Sequence, residues 1–155
     1  MAAEAAAQPA KGATVQYEVS DDIDAPIEQI WSVLTDVERM PEWTSSMTHA
    51  RRLDQGPLAV GSTVRIKQPR LPAAVWRVRE LTPMRSFSWT ATSGGITTDA
   101  RHALATGSGR TTTVTFTIRQ SGLLAPLVGL LTAALTRRYV NAELQGLKSR
   151  SESPA

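Results

Sequence analysis

Apolar and polar residues alternate over positions 14 to 23, with Val15, Tyr17, Val19 and Ile23 on one side and Thr14, Gln16, Glu18 and Ser20 on the other. That period of two predicts a half-buried strand. Pro26 then opens a helix whose stripe is Ile27, Ile30, Trp31 and Leu34, and a second short helix over 37–40 is stopped by Pro41, with Trp43 on a corner beyond it. Six further segments, at 47–53, 62–68, 73–81, 85–92, 96–106 and 110–120, are divided by turn-forming residues such as Ser93-Gly94-Gly95 and Gly107-Ser108-Gly109. Short alternating runs at this spacing predict an antiparallel meander. Its inward phase reads Val64, Ile66 and Gln68; Trp76 and Val78; Phe87 and Trp89; Ile96, Ala100, His102 and Leu104; Val114, Phe116 and Ile118.

A long helix closes the pattern, from residue 123 to about 149. Leu124, Val128, Leu131, Leu135, Tyr139, Ala142 and Gly146 recur at steps of three and four and so share a face. Leu123, Leu127 and Leu130 widen that stripe, and Pro126 sits in the first turn, where a missing N–H costs least. In the second half Arg137, Arg138, Asn141, Glu143 and Lys148 are polar, and Val140, Leu144 and Leu147 form a smaller stripe on the far side. The expectation is a helix gripped by the fold through its N-terminal half, its smaller stripe free for a protein contact or a homodimer. Its apolar run is too short to span a bilayer. The order of elements is α+β: a strand, two short helices, six antiparallel strands and one long helix. A sheet of that extent with one apolar face must curl and cover it, and the long helix is the available cover.

At 155 residues the chain is long enough for one core. The domain is expected at 13–149, with a disordered leader at 1–12 and a disordered tail at 150–155. The leader carries Glu4 and has no basic start followed by an apolar run, so it does not read as a signal peptide and a cytoplasmic protein is expected. Cysteine is absent and His49 and His102 are the only histidines, which leaves no basis for a disulfide framework, a cysteine nucleophile or a zinc site; no metal is expected. The net charge is +3, but the arginines are scattered rather than gathered in a stripe, so nucleic acid is not an expected partner.

The run D-A-P-I-E-Q-I-W-S-V-L-T-D-V-E-R-M-P-E-W from Asp24 to Trp43 resembles the START-like (SRPBCC) superfamily in its polyketide cyclase/dehydrase branch. So do V-G-S-T-V-R-I-K-Q-P from Val60, V-R-E-L-T-P from Val78 with F-S-W at Phe87, the histidine at 102, and L-L-A-P-L-V-G-L-L-T-A-A-L-T-R-R-Y from Leu123. The resemblance covers residues 14 to 148. It implies a helix-grip fold, a curved seven-stranded antiparallel sheet wrapped around the C-terminal helix with a cavity between them. No cofactor is expected, and the resemblance is weak on activity, since the superfamily includes lipid carriers, receptors, co-chaperone domains and aromatase/cyclases.

With such a cavity the inward side chains become its lining. Trp76, Phe87, Trp89, His102 and Gln68 from the sheet, with Leu131 and Leu135 from the helix, are the candidate ligand-binding residues. Large flat groups with few polar ones suit an apolar or aromatic molecule, although the same aromatics could simply fill a core. His102 lies in an apolar phase, where it needs a partner; it could be a satisfied structural histidine, orient a ligand carbonyl or act as a base. Cyclising a poly-keto chain would need a base and a donor, for which His102 and then Tyr139 or Arg65 are candidates, Arg65 being weakened by its polar phase. No Ser–His–Asp set, phosphate loop or paired carboxylates stand out. The expected function is binding of a hydrophobic small molecule, polyketide-like or lipid. The rivals are an aromatase/cyclase and a co-chaperone or interaction domain. The 69–72 loop and the Trp43 corner are expected at the cavity entrance.

Overall fold

The computed structural model describes residues 14–153, so the expected leader lies outside the described residues. The elements follow the expected order: β1 (Val15–Ile23), α1 (Ile27–Thr35), a 3-10 turn (Val37–Glu42), β2 (His49–Arg52), β3 (Thr63–Lys67), β4 (Ala74–Thr82), β5 (Ser86–Ser93), β6 (Ile96–Thr106), β7 (Thr112–Ser121) and α2 (Ala125–Glu152). The strands form one seven-stranded antiparallel sheet in the order β1-β7-β6-β5-β4-β3-β2. Its first and last members in space, β1 and β2, are consecutive strands in the chain, joined through α1 and the 3-10 turn. A bulge between Val78 and Glu80 adds bend to β4. This is the helix-grip arrangement.

The strand phases hold. Val64, Val78, Phe87 and Val114 are fully buried, while Arg65 points outward opposite Arg51. Ile30 and Leu34 of α1 with Val37 and Met40 of the 3-10 turn complete the core. Thr112 donates its hydroxyl to the Ala25 carbonyl at 2.9 Å, fastening β7 to the start of α1.

The face of α2 differs from the expected one. Ala125, Gly129, Val140, Leu144, Leu147 and Ser151 are buried, whereas Leu123, Leu124, Leu127, Leu130 and Leu131 are exposed. The buried set falls about one position later than the expected stripe, a rotation of about 100° at 3.6 residues per turn. Closeness of approach decides this. A Cβ at Gly129 would come within 2.9 Å of Val15 Cγ2, and one at Gly146 would overlap the Trp43 carbonyl oxygen. Small residues let the helix backbone approach β1 and the 3-10 turn, and a stripe of large leucines would hold it off. Polar contacts pin the same half. Asn141 donates to the Tyr17 hydroxyl at 3.0 Å, and Lys148 donates to the Asp22 carbonyl at 2.7 Å while lying 3.6 Å from the Asp21 carboxylate.

Three expectations are thereby corrected. The C-terminal half of α2 is the gripped half, and the N-terminal half is the exposed one. Val140, Leu144 and Leu147 belong to the core and are closed to a partner. The helix also runs through Arg150 to Glu152, and Ser151 is buried with its carbonyl taking a 2.6 Å hydrogen bond from Gln29 Nε2, so the tail from 150 is docked rather than loose up to that point.

Candidate functional site

Sheet and helix part beneath the exposed half of α2, leaving a cavity of about 260 Å³. Trp76 and Trp89, brought side by side by adjacent strands with ring centroids 5.8 Å apart, form one wall. Leu135, Tyr139 and Glu143, at helical steps of four, form the facing wall. Gln68, Leu71 and Pro72 close the rim from the end of β3 and the β3–β4 loop. The surface is mostly apolar with a few convergent polar groups, the usual make-up of a small-molecule site.

Behind the tryptophan wall the aromatics continue as packed core. Phe87 stands edge-on to Trp89 at 5.1 Å and stacks on the His102 ring at 4.3 Å, and Phe116 meets the other side of His102 edge-on at 4.7 Å. Phe87 and His102 are therefore supports of the wall, outside the lining itself. The imidazole is bonded at both nitrogens: Nδ1 lies 3.3 Å from the Phe87 carbonyl oxygen, and Nε2 lies 3.0 Å from Oε1 of Glu143. Glu143 is itself nearly buried, and it reaches the cavity. His102 thus touches the cavity through this carboxylate.

Tyr139 donates its hydroxyl to the Pro69 carbonyl, tying α2 to the β3–β4 loop at the cavity rim. Arg70 holds a left-handed backbone at φ 64°, which turns the loop sharply there.

Several expected site residues come together and others do not. Trp76, Trp89, Gln68, Leu135 and Tyr139 line one cavity. Leu131 is corrected: it is 75% exposed on the outer side of α2, because the helix is rotated away from it. Arg65 is corrected as a donor to the cavity, since its strand phase sends it to the outer surface. The Trp43 corner is corrected as part of the entrance, because Trp43 packs on the core where Gly146 lets α2 approach. Glu143 is the site residue that periodicity missed, having been grouped with the solvent-facing polar residues of α2. Two signals could have found it: its i+4 spacing from Tyr139, and the need of an inward-phase histidine for a polar partner. No group of three or more His, Asp or Glu side chains among the described residues could hold a metal ion.

Residues 14–152 match the protein family described as polyketide cyclase/dehydrase and lipid transport. No curated protein matches the chain. Among solved structures, the Zhui aromatase/cyclase from Streptomyces sp. R1128 is similar at a TM-score of 0.75 and 18% identity, covering 90% of this chain and 94% of that one. A START superfamily protein from Mycobacterium smegmatis has a TM-score of 0.69 and 16% identity over 88% and 97% of the two chains. A norcoclaurine synthase from Thalictrum flavum has 0.71 and 10% over 92% and 97%. At these identities the likeness is one of fold. The family match takes in every element from β1 to α2, and with it the chain belongs to the polyketide cyclase/dehydrase and lipid transport family.

Proposed function

We propose that this protein binds a small hydrophobic molecule, a polyketide-like aromatic or a lipid, between its sheet and α2. The observation that carries the reading is the 260 Å³ gap walled by two indoles on one side and Leu135 on the other. Apolar flat walls gain by covering a flat apolar ligand, and Gln68 and Glu143 supply the few polar points that would orient it. The volume lies just under the usual range of roughly 300–1,000 Å³, which favours a small aromatic body or part of one acyl chain over a bulky lipid.

Native mass spectrometry of protein purified from its own host tests this. A co-purifying apolar molecule is expected, and after its extraction an added naphthalene-type probe should shift the tryptophan emission. A protein that carries nothing and shows no response to such probes would overturn the reading.

The Glu143–His102 pair favours a second reading, an aromatase/cyclase acting on a poly-keto chain. A cavity carboxylate backed by a buried imidazole could take an acidic α-proton and return it to a carbonyl oxygen. Tyr139 could donate to that oxygen only by releasing the Pro69 carbonyl.

A further inference from the structure

Leu123, Leu124, Leu127, Leu130 and Leu131 are 92, 52, 58, 78 and 75% exposed. Single exposed leucines are ordinary, but five within nine residues, two in the turn before α2 and three on the outer side of its first turns, are a concentration of apolar surface that calls for a covering partner. Charge says what kind. From Ser121 to Ala142 the chain carries Arg137 and Arg138 and no acidic residue. Arg138 borders a hollow at the rim together with Arg70 of the β3–β4 loop, and neither forms an ion pair among the described residues. Arg137 lies over the Tyr17 ring at 5.6 Å, still exposed.

Leu127, Leu130, Leu131, Ala134 and Arg138 lie in sequence along one solvent-facing stripe, with Arg137 exposed on its β1 side. Arg138 follows Leu130 by about 8 residues, roughly 12 Å along the axis. Interfacial helices sink their apolar side about 5–10 Å into the headgroup boundary. An α2 tilted leucine end first would therefore bring its arginines to the level of the phosphates. A second copy of the chain fits less well. Packed antiparallel, each arginine pair would face the positive end of the other helix, and packed parallel it would face the other arginine pair.

We propose that the leucine-rich N-terminal end of α2 seats on an anionic lipid surface, with Arg70, Arg137 and Arg138 against the headgroups. The inference is independent of the ligand reading, although Val128, Thr132 and Leu135 on the adjoining side of the same turns line the cavity, so seating would set the cavity beside the lipid.

The test is sedimentation of the full chain with vesicles of phosphatidylcholine alone and of phosphatidylcholine containing phosphatidylglycerol. Binding is expected to favour the anionic vesicles and to weaken as salt is raised. Leu127→Gln with Leu130→Gln should lower partitioning more than about tenfold with an unchanged melting midpoint, since both side chains are outside the core. Arg137→Gln and Arg138→Gln should each reduce the preference for anionic vesicles about fivefold. No binding to either vesicle, or binding indifferent to the leucine pair, would overturn the proposal. So would a dimer in sedimentation equilibrium that the leucine pair abolishes, which would make this a self-association face.

Discussion

The Nε2 atom of His102 on β6 lies 3.0 Å from Oε1 of Glu143 on α2, a hydrogen bond between residues 41 positions apart that joins sheet to helix at the cavity wall. The other ring nitrogen faces a second oxygen, the Phe87 carbonyl at 3.3 Å. Both contacts are hydrogen bonds only when the pair holds a proton for each, as imidazolium with carboxylate or as neutral imidazole with carboxylic acid. A proton can pass between the partners without either bond being lost. Glu143→Ala would leave Nε2 without its partner in a nearly buried place and should destabilise the domain by about 1–3 kcal/mol, whereas Glu143→Gln can still bond the ring and should cost less. Urea titrations of the two variants check the order, and equal midpoints would contradict it.

The same pair separates carrier from enzyme. In a carrier, Glu143→Gln should change ligand affinity by about one hydrogen bond, roughly 0.5–1.5 kcal/mol, with no turnover in either form. In a cyclase it should slow product formation on the order of 100-fold or more with binding retained, because an acid–base group acts on the barrier more than on affinity. We expect the carrier outcome; wild-type cyclisation of a poly-keto substrate that collapses in the variant would refute it.

The rotation of α2 predicts opposite results for two leucines of one helix. Leu144→Asp puts an unpaired carboxylate into the core and should cost more than about 4 kcal/mol, enough to unfold a domain of ordinary stability. Leu131→Asp alters an exposed position and should leave the melting midpoint nearly unchanged. Circular dichroism melts that ranked the two the other way round would mean that the leucine-rich face is the buried one.

A glycine in a helix interior usually costs about 1 kcal/mol relative to alanine. At Gly146 the sign should reverse, because a methyl group there would overlap the Trp43 carbonyl oxygen, a backbone atom that cannot rotate away. Gly146→Ala is expected to destabilise by about 1–3 kcal/mol, in the manner of an overpacked core. A raised midpoint in the same titration would show that the approach of α2 to the 3-10 turn is looser than described.

Tryptophan emission reports on the cavity. Trp76 and Trp89 line it, while Trp31 and Trp43 pack elsewhere on the core. An apolar aromatic ligand should perturb the emission, and Trp89→Leu should remove part of the change. A response of full size in both Trp76→Leu and Trp89→Leu would place the ligand outside this cavity.

Strand phase was legible in the sequence because a strand has only two faces. Once Val64 and Ile66 or Phe87 and Trp89 are taken as inward, every neighbour is assigned, and the burial of Ala100, His102 and Leu104 follows from the same period. The order of elements was legible for a related reason, since proline, glycine and polar turns mark the boundaries between runs of different period. Glu143 was hidden because its partner, His102, is 41 residues distant, and a buried donor can be seen to need an acceptor without showing which residue answers. The face of α2 was hidden for a different reason. A helix can turn about its axis, and its two apolar stripes differ by about 100°, so hydrophobicity alone favours the one with the larger side chains. Only the fold shows that Val15, the neighbour of the helix at its leucine-rich end, leaves room for Gly129 and none for leucine. At that end tertiary packing therefore put Ala125 and Gly129 inside and left five leucines on the surface.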